Sequence, residues 1–213
     1  MAPRAVNATM AYADLDPSSS TKEKIYSKCL LESQEAWWRR LLNVQAPYGW
    51  NLRRLHPGFT LDIGCGLGRH LLHLGGNGVG IDHNPDSVRF ARAQGLEVFT
   101  PEDFRGSPFN IPQRFDSLLL SHVAEHMTQA EVITLLSSYR ELLKPQGKLI
   151  VIAPQEAGFR RDATHREFVD FQKAREIAGT LRLEVIKEYS FPLPRVFGKV
   201  FYFNEFVSVS LKK

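Results

Sequence analysis

The sequence has few of the features that mark disulfide-stabilised, zinc-binding or membrane-spanning proteins. Its two cysteines, Cys29 and Cys65, are too few for a disulfide framework, and neither belongs to a spaced Cys/His group that would bind structural zinc. The longest aliphatic run, Leu149 to Ala153, is far shorter than the roughly 18 apolar residues of a membrane span. These absences favour a soluble protein in a reducing compartment, and we expect it to be cytoplasmic.

An excess of charge of one sign is also lacking. The chain has 27 Lys and Arg against 23 Asp and Glu, a formal net charge of +4. The basic residues are scattered apart from short pairs, so the charge is weak evidence for a nucleic-acid partner. An apolar content of 43% over 213 residues is enough for one proper core, which excludes a disordered or fibrous protein.

The composition divides the chain into three regions. Residues 1–21 are small and polar, lack the apolar core of a signal peptide, and are predicted to form a flexible N-terminal tail. Residues 22–57 are predicted to form a helical cap, because apolar residues recur there at three- and four-residue steps and a short basic helix follows at 50–55. Residues 58–213 are predicted to form the main domain.

After Gly58, short apolar runs alternate with helical stretches. The predicted strands are 59–63, 79–81, 96–99, 115–120 and 148–153, and the predicted helices are 69–74, 85–94, 130–143 and 168–178. This alternation, with right-handed crossovers, indicates a doubly wound α/β fold: a three-layer αβα, Rossmann-like, mostly parallel sheet. Two strand-like stretches, 183–190 and 205–211, have no helix between them, which predicts an antiparallel C-terminal strand. The loop around 192–199 should then lie over the carboxyl edge of the sheet.

The loop after the first strand contains the strongest ligand-binding pattern. It reads Leu61-Asp62-Ile63-Gly64-Cys65-Gly66-Leu67-Gly68-Arg69, and alternating glycines permit a tight turn close to a ligand. The glycine spacing differs from the Gly-x-Gly-x-x-Gly fingerprint of dinucleotide sites. Asp62 would repel a pyrophosphate but attract an ammonium group. S-adenosyl-L-methionine, which carries an ammonium and a sulfonium and no phosphate, fits this pattern.

The second strand ends in Gly80-Ile81-Asp82. An acidic side chain at this position accepts hydrogen bonds from ribose hydroxyls in nucleoside-binding sheets. Asp82 therefore predicts a nucleoside ligand without naming the cofactor.

With these motifs, the sequence resembles the class I S-adenosylmethionine-dependent methyltransferases of the small type 11/12 kind. The resemblance covers about residues 59–153. It rests on the glycine loop, on Gly80-Ile81-Asp82, on Phe115-Asp116 with Ser121-His122-Val123-Ala124-Glu125-His126-Met127, and on Leu142-Leu143-Lys144-Pro145-Gln146-Gly147-Lys148-Leu149. It implies an enzyme that transfers a methyl group from S-adenosyl-L-methionine.

The resemblance also implies where the cofactor binds. The implied contacts are Asp62, Gly64 and Gly66 for the methionine end, Asp82 for the ribose, Glu102-Asp103-Phe104 for the adenine, and Ser121 and His122 below the sulfonium. The flanking residues Cys65, Arg69 and His83 complete the predicted cofactor site. Family members usually have an Asp after the third strand, where this chain has Thr100-Pro101 before Glu102.

Three histidines are the candidate catalytic residues. His122 and His126 follow the fourth strand, and His165 follows the fifth in a stretch that resembles the Asp-x-Thr-His-x-x-x-Phe pattern of some family relatives. A structural hydrogen bond to a neighbouring backbone is the alternative role for His126. The His-x-x-x-His pair has no third ligand in register, so we predict no metal site.

The favoured function is methyl transfer to a small molecule, with a hydroxyl as the preferred acceptor because an imidazole can take its proton. A nucleic-acid methyltransferase is the second hypothesis. Against it, the fourth strand ends in Ser121-His122-Val123 instead of the Asn/Asp-Pro-Pro-Tyr/Phe of enzymes that methylate exocyclic nitrogens. A non-catalytic S-adenosylmethionine-binding protein is the third, and a nicotinamide dehydrogenase the fourth. We expect a monomer or homodimer without nucleic acid. Arg160, Arg161 and Arg195 suggest an acidic acceptor.

Overall fold

The computed structural model describes residues 45–213, in which seven strands form one sheet. The strands are β1 Thr60–Ile63, β2 Gly78–Ile81, β3 Val98–Phe99, β4 Phe115–Ser121, β5 Leu143–Pro154, β6 Leu183–Phe191 and β7 Glu205–Lys212. Their order is β3-β2-β1-β4-β5-β7-β6. Strands β1 to β5 pair in parallel, and β7 lies antiparallel between β5 and β6. The predicted, mostly parallel sheet with an antiparallel C-terminal strand is confirmed.

The helices lie between the strands along the chain. They are α1 Ala46–Arg53, α2 Arg69–His73, α3 Pro85–Ala93, α4 Pro101–Arg105, α5 Gln129–Tyr139, α6 Glu156–Phe159 and α7 Phe171–Thr180, with 3-10 turns at Ala124–His126, Arg140–Leu142 and Arg195–Lys199. Side chains that accept hydrogen bonds from the first-turn backbone N–H groups begin four of them: Asn84 for α3, Thr100 for α4, Thr128 for α5 and Asp170 for α7.

Successive strand residues point to opposite faces of the sheet, and in this protein both faces are buried. On β4, Leu118 and Leu120 pack in the core that includes Val132 of α5. Leu119 between them packs in a separate core with Leu52 of α1. Helices therefore cover the sheet on both sides, and the three-layer architecture is confirmed.

Some element boundaries differ from the predicted ones. Strand β5 begins at Leu143 instead of residue 148, because Leu143 pairs with Phe115 before an irregularity in the register. Helix α7 begins at Phe171 instead of residue 168, because Asp170 caps it. The helix predicted at 50–55 is observed as α1, Ala46–Arg53, and the short helices α4 and α6 were not predicted. The predicted tail at 1–21 and most of the predicted cap at 22–57 lie outside the described residues.

The carboxyl ends of the parallel strands share one edge of the sheet, and β7 starts there because Glu205 pairs with both Pro154 and Phe191. The connection between β6 and β7, residues 192–204, therefore lies at this edge, as predicted. In the part of the chain that the structure describes, no helix is long and apolar enough to cross a membrane.

Candidate functional site

The glycine loop after β1 has the backbone shape that only glycine adopts easily. Gly64, Gly66 and Gly68 have φ angles of 75°, 53° and 81°. A Cβ at Gly64 would lie 2.4 Å from Cγ2 of Val123, whereas a Cβ at Gly66 would meet nothing within 4 Å. The loop therefore packs against the protein at Gly64 and leaves open space at Gly66, where a ligand could approach the backbone.

Asp62 is a buried carboxylate without a hydrogen-bond partner on one oxygen. It lies in β1 with 1% of its surface exposed, and its Oδ2 is unpaired among residues 45–213. Burial raises the pKa of Asp62 to about 7; Arg69 lowers it and Asp82 raises it further. A buried charge is costly unless it is paired, so a cationic group from a ligand would satisfy this side chain.

Asp82 is held in place by the backbone at the end of β2. Its Oδ2 accepts a hydrogen bond from Gly66 N at 2.7 Å, and its Oδ1 accepts one from Asn84 N at 2.9 Å. A carboxylate has about four lone-pair positions, so both oxygens retain capacity to accept hydroxyl groups. The neighbouring His83 side chain is 92% exposed.

The other predicted cofactor residues differ in accessibility. Cys65 is buried in a cluster with Leu71 and Val88, and burial raises the pKa of its thiol. This supports a packing role for Cys65 and excludes a reactive thiolate at neutral pH. Arg69, in the first turn of α2, lines the large cavity described below.

The predicted adenine segment forms helix α4. Glu102 and Asp103 are exposed on it, whereas Phe104 is 1% exposed and packs against Phe99 and Tyr139. The Phe104 ring belongs to the core, so this residue can offer a ligand only its backbone.

The three predicted histidines meet in one cavity of about 340 Å³ at the carboxyl edge of the sheet. His122 and His126 come from the segment after β4, and His165 from the segment after α6. The rings of His126 and His165 lie 4.8 Å apart, measured between centroids. Tyr48 and Tyr202 form other parts of the cavity wall.

His122 lies between two glutamates. Its Nε2 is 2.9 Å from Oε1 of Glu205, and its Nδ1 is 3.3 Å from Oε1 of Glu125. Burial would lower the pKa of His122, but the contacts with Glu125 and Glu205 outweigh it and raise this pKa to about 9. The imidazole is therefore charged at neutral pH. The hydroxyl of Ser121, the preceding residue, is buried without a partner in the described range.

Hydrogen bonds place a proton on Nδ1 of both His126 and His165. Nδ1 of His165 is 2.8 Å from the Phe159 carbonyl oxygen, which can only accept, so Nδ1 carries the proton. The Thr164 hydroxyl donates to Asp162 Oδ1 at 2.7 Å and therefore accepts from Nδ1 of His126 at 3.1 Å. In the neutral form of each ring, Nε2 therefore carries the lone pair.

The sequence analysis did not predict two acidic side chains that line the cavity and contact His122. Glu125 is fully buried, and Glu205 is 8% exposed at the start of β7. Glu125 directly precedes His126 in the motif after the fourth strand, and this position was the available sequence signal for it. No local pattern marks Glu205, because only the antiparallel return of β7 brings it to His122.

The arginines predicted to bind an acidic acceptor have other partners. Arg195 pairs with Glu156, the Arg160 guanidinium donates to a backbone carbonyl, and Arg161 lies 4.1 Å from the centroid of the Tyr202 ring. The described cavity lining has none of these three arginines. The structure gives no support to an acidic acceptor.

A sequence comparison matches residues 61–151 to the family model described as a methyltransferase domain, Methyltransf_11. Curated protein sequences give no significant match.

Solved structures share the fold at low sequence identity. A methyltransferase from Haloferax volcanii, solved with the Trm112 methyltransferase activator, has a TM-score of 0.66 and 17% identity over 91% of this chain and 99% of that chain. A SAM-dependent methyltransferase from Archaeoglobus fulgidus has a TM-score of 0.58 and 20% identity over 78% and 93%. The 1,6-didemethyltoxoflavin-N1-methyltransferase of Burkholderia thailandensis, solved with S-adenosylhomocysteine, has a TM-score of 0.57 and 17% identity over 93% of both chains.

Proposed function

We propose that the chain, whose residues 61–151 match the methyltransferase family model, is an S-adenosylmethionine-dependent methyltransferase that methylates a hydroxyl oxygen of a small molecule. The choice of a hydroxyl as the methyl acceptor rests on one observation. The cavity beside the glycine loop contains two imidazoles, His126 and His165, whose Nε2 atoms are free to take a proton. A hydroxyl acceptor must lose a proton during methylation, whereas a thioether or tertiary amine acceptor has none to lose.

The cofactor supplies an electrophilic methyl group when bound. We assign its ammonium to the unpaired carboxylate of Asp62 and its ribose hydroxyls to Asp82. The open space at Gly66 provides room for the methionine portion against the backbone. These roles are supported by the orphaned buried oxygen of Asp62, which a bound ammonium would satisfy.

The proposed chemistry is an in-line displacement. The acceptor oxygen forms a bond to the methyl carbon while the carbon–sulfur bond breaks and its electron pair stays on sulfur. The hydroxyl proton leaves toward the group formed by His126 and His165. His122 is already protonated between Glu125 and Glu205, so its role in this proposal is electrostatic positioning instead of proton removal.

The size and charge of the cavity support a small-molecule acceptor over a nucleic acid. Its volume of about 340 Å³ falls in the roughly 300–1,000 Å³ range of small-molecule sites. Glu125, Asp162 and Glu205 line it, and carboxylates repel a phosphate backbone.

Steady-state methylation of a panel of phenols, catechols, aliphatic alcohols and amines tests the proposal, with S-adenosylhomocysteine formation as the readout. His165→Asn retains an N–H donor for Phe159 but loses the Nε2 lone pair. We expect its kcat on a hydroxyl acceptor to fall by about 100- to 10,000-fold, with unchanged affinity for S-adenosylhomocysteine. The matched control His56→Asn changes an exposed histidine that does not line the cavity. Turnover with amines alone, or a wild-type rate in His165→Asn, would contradict the assignment.

A further inference from the structure

Three potential metal ligands converge at one end of the cavity. Within residues 45–213, a carboxylate oxygen of Glu125 and a ring nitrogen from each of His126 and His165 all lie within 4.8 Å of one another. From the sequence alone, only the His-x-x-x-His pair formed by His122 and His126 was visible. The fold replaces His122 by Glu125 and supplies His165 as the third member.

Glu125 gives independent evidence that a ligand is missing. Its side chain is fully buried, and neither Oε1 nor Oε2 has a hydrogen-bond partner in the described part of the chain. Its nearest basic side chains are His122, whose Nδ1 lies at 3.3 Å, and His165, whose Nε2 lies at 4.0 Å, both longer than a good hydrogen bond. His122 partly offsets the charge of Glu125, but a buried carboxylate without well-formed hydrogen bonds is still costly, and a bound cation would satisfy both of its oxygens.

The two imidazoles are oriented as metal ligands usually are. In proteins, a metal-binding histidine commonly donates its other ring N–H to a carbonyl, carboxylate or similar acceptor. His165 donates Nδ1–H to the Phe159 carbonyl, and His126 donates Nδ1–H to the Thr164 hydroxyl, which is bonded to Asp162. Both Nε2 lone pairs are thereby directed away from these partners.

We propose that Glu125, His126 and His165 bind a divalent transition-metal cation and leave part of its coordination sphere open to the cavity. A set of two nitrogens and one oxygen suits Zn²⁺, Mn²⁺ or Fe²⁺, whereas Mg²⁺ prefers oxygen alone. The 4.0 Å between His165 Nε2 and Glu125 Oε1 must shrink to about 3.4 Å for tetrahedral coordination at about 2.1 Å.

The open position gives the cation a role in methyl transfer, and this step alone rests on the proposed function. An acceptor hydroxyl that coordinates the cation becomes more acidic, as metal-bound water does. In the metal-bound form, His126 and His165 hold the cation instead of taking the proton, and the hydroxyl proton leaves to solvent water. The acceptor class favoured by this arrangement is a hydroxyl with a second oxygen donor beside it, which can chelate the cation.

Metal binding is measured on the tag-free full chain without cofactor or acceptor. Isothermal titration with Zn²⁺, Mn²⁺ and Mg²⁺, together with metal content after dialysis, should show one cation per chain, with Zn²⁺ tighter than Mg²⁺. Glu125→Gln and His165→Asn should each weaken Zn²⁺ binding by at least about 100-fold. The control His56→Asn should bind as the wild type does. A Co²⁺ absorption band in the visible region should appear in the wild type and vanish in both ligand variants.

A further variant tests the metal site if Glu125→Gln or His165→Asn folds poorly. Thr164→Val removes the hydroxyl that bonds both His126 and Asp162, leaves the three ligands in place, and should weaken Zn²⁺ binding by about 10- to 100-fold. Equal Zn²⁺ affinity in the ligand variants and in His56→Asn, or the absence of stoichiometric binding in the wild type, overturns the site. Zn²⁺ binding without any hydroxyl methylation would instead refute the proposed function and leave the metal site standing.

Discussion

At the scale of single residues, the buried carboxylate of Asp62 lowers the stability of the folded protein at a site proposed to bind the cofactor. Its pKa is raised from 3.8 to about 7 in the folded protein, first because it is buried. A carboxyl group with a raised folded-state pKa favours folding only while it is protonated, so its unfavourable contribution grows as pH rises from about 4 to about 7. We expect apo Asp62→Asn to have a higher Tm than apo wild type at pH 8, and a smaller advantage at pH 5.

The same substitution should weaken cofactor binding, because the amide cannot form an ion pair with the ammonium. Calorimetry at pH 8 should therefore show lower affinity of Asp62→Asn for S-adenosylhomocysteine but nearly unchanged affinity for adenosine, which lacks the ammonium. A variant that is neither more stable nor weaker in binding would remove Asp62 from the proposed cofactor site.

The sequence predicted the histidines of the cavity but not their acidic partners. His122, His126 and His165 each follow a strand and lie in motifs, so topology alone places them at one edge. Glu125 and Glu205 acquire their importance from contacts with His122. Such contacts depend on the 3-10 turn after β4 and on the register of β7, which local sequence patterns do not specify.

At the scale of elements, the glycines of the loop after β1 differ in role: Gly64 packs against the protein, and Gly66 faces open space. Gly64, Gly66 and Gly75 all have positive φ, so alanine at any of them incurs similar backbone strain. Only at Gly64 does the added Cβ meet Val123, at 2.4 Å. Thermal unfolding should therefore show Gly64→Ala to be the least stable variant, with Gly66→Ala and Gly75→Ala similar to each other.

The same variants should differ in another way in their affinity for S-adenosylhomocysteine. The methyl group of Gly66→Ala occupies space where we place the methionine portion, so its affinity for S-adenosylhomocysteine should fall. Gly75 lies outside this loop, at an exposed position, and Gly75→Ala should bind as the wild type does. Equal affinities for Gly66→Ala and Gly75→Ala would show that the open space is not used by the ligand.

The type of each element was easier to predict than its ends. Most strands and helices of residues 58–153 follow from hydrophobic periodicity, because burial on one or both faces fixes that pattern; the short helix α4 is the exception. The start of β5 at Leu143 depends on its pairing with Phe115, a contact between separate elements. The short helix α6 has no apolar periodicity of its own and could not be predicted.

At the scale of the whole molecule, the cavity depends on contacts between distant parts of the chain. Gln155 follows β5 and Asn204 precedes β7, and both are fully buried. Asn204 donates to Gln155 Oε1 at 3.0 Å and accepts from Leu193 N at 2.8 Å. These bonds fix the connection between β6 and β7, which carries Tyr202 and Phe203 to the cavity wall.

Asn204→Ala should consequently affect stability and acceptor binding together. It leaves the buried Gln155 Oε1 and the partly buried Leu193 N–H without these partners, which costs about 1 to 3 kcal/mol of unfolding free energy. The Michaelis constant for the acceptor should rise, because Tyr202 and Phe203 lose their support, while S-adenosylhomocysteine affinity stays unchanged because the glycine loop belongs to β1. Asn110→Ala, which removes an exposed amide, is the control and should stay within about 0.5 kcal/mol of wild type. If Asn204→Ala weakened cofactor binding as much as acceptor binding, the β6–β7 connection would not be specific to the acceptor side of the cavity.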